Sequence, residues 1–320
     1  MAKLLKSPAI ALICVLQALS SEIKITPLEP ASARGETLFS SHTPEETGVN
    51  FINPIDDNHE LKRLYISGFA AGGVSLGDLD QDGLLDVVLT AGARASKIFR
   101  QVSPWKFEEV PWDPKLSELW SSGAAILDID NDGDLDLVVA GMDPSFTNQI
   151  TTIYRNDLGV FTDIGAGLQG VDYASLDWGD YDNDGDLDLV VIGRYAIGPD
   201  LASSTIYQNN SGVFTDISAG LQPFNNGSVN WGDYDNDGDL DLAMTGYDAD
   251  WANRFTKIYT NDAGSFTEHI SGLPNVSWGD SEWGDYDNDG DLDILLSGAE
   301  QGFGAPLYTS IFNNSAGVFT

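Results

Sequence analysis

Cysteine is nearly missing from this chain of 320 residues, with Cys14 standing alone. A single thiol excludes an internal disulfide framework and a cysteine-based zinc site. Histidine is scarce as well: His42, His59 and His269 are the whole supply. Lys and Arg number 15 against 50 Asp and Glu, giving a formal charge of −35. A surface of that sign repels phosphate, which argues against DNA, RNA or an anionic membrane as partner. Beyond the N-terminal segment no stretch is long and apolar enough for a transmembrane helix. What is abundant is aspartate, together with 34 glycines, in a chain that is 42% hydrophobic and can bury a substantial core.

The start of the chain reads as an address. Lys3 and Lys6 precede an apolar run from Ala9 to Leu19, with small residues at Ala18 and Ser20. That is the arrangement of a secretory signal, and the run is short for a bilayer span. An uncleaved anchor is the competing reading. Residues 1–20 are therefore expected to be a signal peptide and 21–66 an N-terminal segment, with repeats filling 67–320. Cleavage near Ser20 would remove Cys14 as well. The predicted location is secreted, extracellular or cell-surface.

Five segments recur: GDLDQDGLLDVVLT from Gly77, LDIDNDGDLDLVVAG from Leu127, WGDYDNDGDLDLVVIG from Trp178, WGDYDNDGDLDLAMTG from Trp231 and WGDYDNDGDLDILLSG from Trp283. Their first aspartates are spaced by 50, 52, 53 and 52 residues. A second element follows each, as in IYRNDLGVFTD from Ile153, IYQNNSGVFTD from Ile206, IYTNDAGSFTE from Ile258 and IFNNSAGVFT from Ile311. Repetition at such a period marks a solenoid, an array or a propeller. The runs after the aspartates, such as Leu189 to Ile192, suit strands buried on both faces. IYxN, a short Asn/Asp/Ser/Gly turn and GxFT make a hairpin. Helical periodicity is missing. Four antiparallel strands in a unit of about 50 residues is the size of a propeller blade. The predicted fold is all-β, a β-propeller of four-stranded antiparallel blades with five repeats visible.

The ends add an expectation. Leu38-Phe39 and Gly48-Val49 echo the GVF…GL of the repeats, so the N-terminal segment is a candidate for a closing outer strand. Because the fifth unit has its own outer strand, from Gly317 to Thr320, an open or incomplete array is the alternative expectation.

Each aspartate cluster reads D-x-D-x-D-G-x-x-D. The carboxylates are Asp78, Asp80, Asp82 and Asp86; Asp128, Asp130, Asp132 and Asp136; Asp180, Asp182, Asp184 and Asp188; Asp233, Asp235, Asp237 and Asp241; Asp285, Asp287, Asp289 and Asp293. Alternate carboxylates curl around one cation only if the chain turns sharply. Gly83, Gly133, Gly185, Gly238 and Gly290 stand where that turn calls for positive φ. Position seven, at Leu84, Asp134, Asp186, Asp239 and Asp291, is expected to offer its backbone carbonyl. The result is a hard all-oxygen cage of about six ligands once water is counted, which favours Ca²⁺. An EF-hand would need a Glu at position twelve between helices; here that position holds Leu89, Val139, Val191, Met244 and Leu296. An acidic solvated turn is the plain competitor. About five structural calcium ions are predicted.

These motifs resemble the FG-GAP/VCBS repeat family, which includes the N-terminal propeller of integrin α subunits, over residues 67–320. The resemblance implies calcium loops joining the first two strands of each blade on one face, ligands met mainly on the other face, and seven blades as the usual number against five seen here. The loops assigned to that other face are 141–148, 193–203, 246–254 and 298–306, carrying Phe146, Tyr195, Trp251 and Phe303. Those aromatic rings either stack on a ligand or pin their own loops. Trp178, Trp231 and Trp283 recur at one position and are expected to pack between blades.

The functional expectation is a calcium-binding module for adhesion or for recognising an extracellular protein or polysaccharide. The alternative is a calcium-dependent polysaccharide lyase or hydrolase on a propeller scaffold. No convincing acid/base constellation is visible, so no enzyme is predicted. Arg155, Arg194 and Arg254 are scattered candidates for gripping acidic sugars, and Asp248 and Asp250 are carboxylates outside the cages.

Overall fold

The computed structural model describes residues 42–51, 74–90, 96–111, 120–143, 147–196, 201–248, 253–300 and 307–320. Within them the chain is all-β, five four-stranded antiparallel blades of a β-propeller with a single short helix. Blade 1 comprises Val74–Gly77, Asp86–Leu89, Lys97–Ser103 and Lys106–Val110. Blade 2 comprises Trp120–Leu127, Asp136–Met142, Gln149–Asp157 and Val160–Asp163. Blade 3 comprises Asp172–Gly179, Asp188–Arg194, Ala202–Asn210 and Val213–Asp216. Blade 4 comprises Val229–Gly232, Asp241–Tyr247, Arg254–Asp262 and Ser265–His269. Blade 5 comprises Ser281–Gly284, Asp293–Ala299 and Leu307–Phe312, continued by Asn314–Ser315, which pairs with Val318–Phe319. Strands neighbour one another in chain order, and the first strands of successive blades pack side by side.

Local chemistry explains the hairpins. The turns Leu158-Gly159, Ser211-Gly212, Ala263-Gly264 and Ala316-Gly317 all have positive φ at both residues. That geometry matches the right-handed twist of the strands they join.

The hydrophobic core lies in slabs between blades, each built from two neighbours. Between blades 3 and 4, Tyr181, Val190 and Ile206 meet Trp231, Leu242 and Met244. Blades 2 and 3 meet through Ile129, Val138 and Ile153 against Leu189, Val191 and Tyr207. Trp231 stacks on Tyr181 at 6.0 Å and 9°, and Trp283 stacks on Tyr234 at 6.1 Å and 9°, which confirms the inter-blade place expected for these tryptophans. In blades 2 and 4 every residue of the second strand is buried, because both faces of that strand are covered.

A polar bolt crosses each slab. Asn261 donates from Nδ2 to Tyr181 O of the previous blade at 2.8 Å and to Leu240 O of its own at 3.1 Å, while its Oδ1 accepts from Gly264 N at 2.8 Å. Asn156, Asn209 and Asn314 repeat the pattern onto Leu79 O, Ile129 O and Tyr234 O. Asn209 begins one of the chain's N-x-S sequons, but it is fully buried in this role and no glycan can reach it. His269 is equally structural: it fills the slab between blades 4 and 5, 5.4 Å from Tyr234, with Nε2 at 2.8 Å from Gly317 O.

The N-terminal segment is described over residues 42–51. Pro44–Thr47 is a helical turn, capped by Thr43 in a capping box with Glu46 and ended by Gly48 at φ 85. Thr-Pro-Glu-Glu satisfies the first amide groups of a helix locally. The turn lies beside the outer strand of blade 1, where Lys106 Nζ donates to Glu46 O. Leu38 and Phe39 lie outside the described residues, as does the expected signal segment.

Replacing Asn261 by alanine strands three backbone groups, one buried and two half-buried. The expected cost is roughly 3 kcal/mol of unfolding free energy, at about 1 kcal/mol or more for each. Denaturant melts would register it, and a loss no larger than that of a surface substitution would contradict the bolt.

Candidate metal centres and the opposite face

The five loops join the first and second strands of their blades and share one hydrogen-bonding scheme. In blade 3, Asp180 closes the turn by accepting from Asp184 N at 2.9 Å and Gly185 N at 3.1 Å. Asp184 accepts from Asp186 N at 2.9 Å. Asp188 accepts from Tyr181 N at 3.2 Å and from Asn209 N on the third strand at 2.7 Å. The sixth-position glycines have φ from +87 to +99, a region that a Cβ would strain.

This folding brings one oxygen each from positions one, three and nine within 4.8 Å of one another: Asp78, Asp80 and Asp86; Asp128, Asp130 and Asp136; Asp180, Asp182 and Asp188; Asp233, Asp235 and Asp241. In the fifth loop the trio is Asp285, Asp287 and Asp289, all exposed. The fifth-position carboxylates Asp82, Asp132, Asp184 and Asp237 stand outside their trios. Asp293, like its four counterparts, is buried at the head of its strand. The twelfth positions lie inside second strands, so these loops are not EF-hands.

Position-seven side chains turn away from the trios. Asp134, Asp239 and Asp291 accept from the fourth-position amides of the preceding blade, Gln81, Asn183 and Asn236, at 2.7, 2.9 and 3.0 Å. Their other oxygens accept from the hairpin turns at Leu158 N, Ala263 N and Ala316 N. Only the backbone of this position is left to face the loop.

The trios fit a hard cation. Asp182 Oδ2 accepts from Gln208 at 2.5 Å and Asp80 Oδ2 from Arg100 at 3.3 Å, while Oδ1 of each is buried without a hydrogen-bond partner. A buried carboxylate oxygen without a donor is costly unless a cation faces it. Burial, aided by neighbouring aspartates, pushes Asp136 up to about 6 and Asp188 and Asp241 up to about 7, despite backbone donors that favour their charged forms.

Arg194 and Arg254, scattered in sequence, sit at the other end of the blades. Arg194 donates to Asp172 through Nε at 2.9 Å and Nη2 at 2.5 Å, and its guanidinium lies 4.4 Å from the Tyr173 ring centre. Arg254 lies 4.8 Å from the Tyr247 ring, which meets Trp278 edge-on at 5.4 Å. Backbone bonds from Asn226 N to Tyr173 O and from Trp278 N to Asn226 O link these positions across blades 3, 4 and 5. Tyr173, Asn226 and Trp278 occupy equivalent repeat positions, each with positive φ. Their spacing was readable in the sequence, but their differing residue types hid them. Arg155 instead pairs with Asp157 on the surface. Asp248 closes its own loop by accepting from Asn253. Tyr195 packs against the slab between blades 2 and 3, so this ring pins its loop. Phe146, Asp250, Trp251 and Phe303 lie outside the described residues.

Asp177, Asn230 and Glu282 share a register position on the first strands of blades 3, 4 and 5, each directly before the tryptophan. Loss of solvation pushes Asp177 up to about 6; the same effect, with the charges of Asp280 and Asp177, pushes Glu282 up to about 7.

Residues 78–139 and 128–191 match the FG-GAP-like repeat model. No curated protein matches the sequence. Among solved structures, a putative exo-beta-1,3-galactanase from Bifidobacterium bifidum s17 aligns with TM-score 0.44 and 11% identity, over 78% of this chain and 90% of that one. A thermostable family-43 glycoside hydrolase aligns with TM-score 0.40 and 10% identity, over 78% and 92%. An Aspergillus kawachii beta-fructofuranosidase complexed with glycerol aligns with TM-score 0.39 and 9% identity, over 70% and 51%. Nothing about this chain's chemistry follows from likenesses at that level.

The raised loop carboxylates set a pH dependence. Their folded pKa exceeds the unfolded value of about 3.9, so the folded state holds more protons between about pH 4 and 7. In chelator, the stability these carboxyls contribute is therefore greatest below about pH 4 and falls as pH rises from about 4 to 7. Calcium should flatten that slope. Melting temperatures at pH 5 and pH 8, with and without chelator, check it; a chelated protein more stable at pH 8 than at pH 5 would contradict it.

Proposed function

We propose that this protein is an extracellular calcium-binding propeller that acts as a recognition or adhesion module for a protein or carbohydrate. The observation carrying this reading is the fivefold convergence of carboxylates, with buried orphan oxygens at Asp80 and Asp182. Asp78, Asp80 and Asp86 and their counterparts would hold the cation, with the position-seven carbonyl and water completing its shell. Calcium supplies charge neutralisation and cross-linking of the loop. This role is structural, tying the first strand to the second. Extracellular calcium modules bind at about 10⁻⁴–10⁻³ M, and calcium at tenfold the dissociation constant adds about 1.4 kcal/mol per site. No helix among the described residues is long and apolar enough to cross a membrane. Secretion rests on the basic-then-apolar N-terminus.

The recognition surface is assigned to the end opposite the calcium loops, where Trp278 and Arg254 offer a ring and a guanidinium against the buried Tyr247 ring. Such a group stacks on sugar faces or seats a peptide carboxylate. A glycan and extracellular-protein panel should give a ligand whose affinity drops about fivefold in Trp278→Ala, in keeping with about 1 kcal/mol for an aromatic contact. Undiminished binding would move the site elsewhere.

Melting the calcium-loaded and chelated protein, with bound calcium counted, tests the metal reading. Several ions per chain and a higher melting temperature in calcium are expected. An unchanged melt with no bound ion would overturn it.

A hydrolase is the second reading, favoured by Asp177 and Glu282, whose raised pKa values of about 6 and about 7 suit acid/base work near neutrality. New reducing ends from a polysaccharide panel, lost in Glu282→Gln, would establish it. A binding module releases none.

A further inference from the structure

The third strand of each blade touches the aspartate loop at two successive residues. Asn156, Asn209, Asn261 and Asn314 donate their backbone amides to the ninth-position carboxylates. Gln101 N holds that place in blade 1, donating to Asp86 at 2.8 Å. The residues one place earlier are therefore equivalent: Arg100, Arg155, Gln208, Thr260 and Asn313. Three of them donate from the side chain to the third-position carboxylate. Arg100 reaches Asp80 Oδ2 at 3.3 Å, Gln208 reaches Asp182 Oδ2 at 2.5 Å and Asn313 reaches Asp287 Oδ2 at 2.6 Å. Arg155 donates to Asp157 at 3.0 Å, and the charges of Asp130 and Asp132 act on it as well. Thr260 pairs its hydroxyl with Tyr234 OH at 2.7 Å.

Loops 1 and 3 show what this contact does. In both, Oδ2 of the third-position aspartate is held by the third strand, while Oδ1 is buried without a partner and left for a cation. The grip is the same and the charge is not. A guanidinium is charged at every working pH, whereas the amides of Gln208 and Asn313 and the hydroxyl of Thr260 are neutral. The affinity of an oxygen cage for calcium follows the charge its ligands carry. A fixed positive charge on one ligand offsets part of that attraction, and water around the half-exposed Arg100 screens only part of the offset. Cations are scarce in this chain, 15 in all, yet two arginines stand at this one register.

We propose that the residue before the bolt sets the calcium affinity of its loop, and that Arg100 and Arg155 make the sites of blades 1 and 2 the weak ones. This rests on the calcium reading of the loops. As calcium rises, blades 3 to 5 load first and blades 1 and 2 last. Between the two steps the propeller is stiffened in its later blades only.

Calorimetric titration of the full chain with calcium at pH 8, where the raised loop carboxyls are ionised, tests this. Two affinity classes are expected, the weaker one holding two sites. Arg100→Gln should tighten one weak site about tenfold, and Gln208→Arg should weaken one tight site by a similar factor, with the number of ions unchanged. Arg100→Lys keeps the charge and should leave its site weak, an outcome that a purely structural role for the arginine does not predict. A cooperative melt in chelator checks each fold, and either swap alone decides the matter. Several ions bound in a single affinity class overturn this proposal and leave the calcium reading standing. So does an unchanged titration in Arg100→Gln, or an Arg100→Lys chain that behaves like it. A chain that binds no calcium overturns both.

Discussion

The structure depends on a carboxylate buried where charge is least welcome. At the head of each second strand, Asp86, Asp136, Asp188, Asp241 or Asp293 is at most 1% exposed. One oxygen accepts from the loop and the other from the third strand. Three segments of the blade are thereby fixed to one side chain. Backbone donors cover part of the desolvation penalty, and a cation facing the same group would cover the rest. Loop shape, strand pairing and the position of the Asn bolt all follow from that anchor.

The bolt turns a local anchor into global order. The amide that donates to Asp188 belongs to Asn209, whose side chain reaches back 80 residues to Ile129 O. Each blade's interior is therefore wired to its neighbour through one residue. The aromatic stacks add area and shape to the same slab, as Trp231 does over Tyr181. Polar and apolar parts of the interface are thus in register with the aspartate loops.

The loops and blades were legible in the sequence because their information is local. Alternating aspartates, a glycine at the sixth position and an apolar strand lie within fifteen residues, and the repeat displays them five times. The recurring tryptophans were readable for the same reason. The direction of the Asp134, Asp239 and Asp291 side chains was hidden, since their partners lie about fifty residues earlier. The Arg254–Tyr247–Trp278 group was hidden because it joins two blades and its repeat counterparts differ in kind. At the N-terminus four residues of capping chemistry set a helical turn, a signal as local as the loops.

The bolts all point one way. In every described slab the later blade donates its asparagine amide to a carbonyl of the earlier one. A ribosome releases the acceptor carbonyl first and the donor roughly one and a half repeats later. Each new blade thus meets a finished template as it emerges, and its polar groups are satisfied by what already exists. The array has an arrow, and it runs with translation.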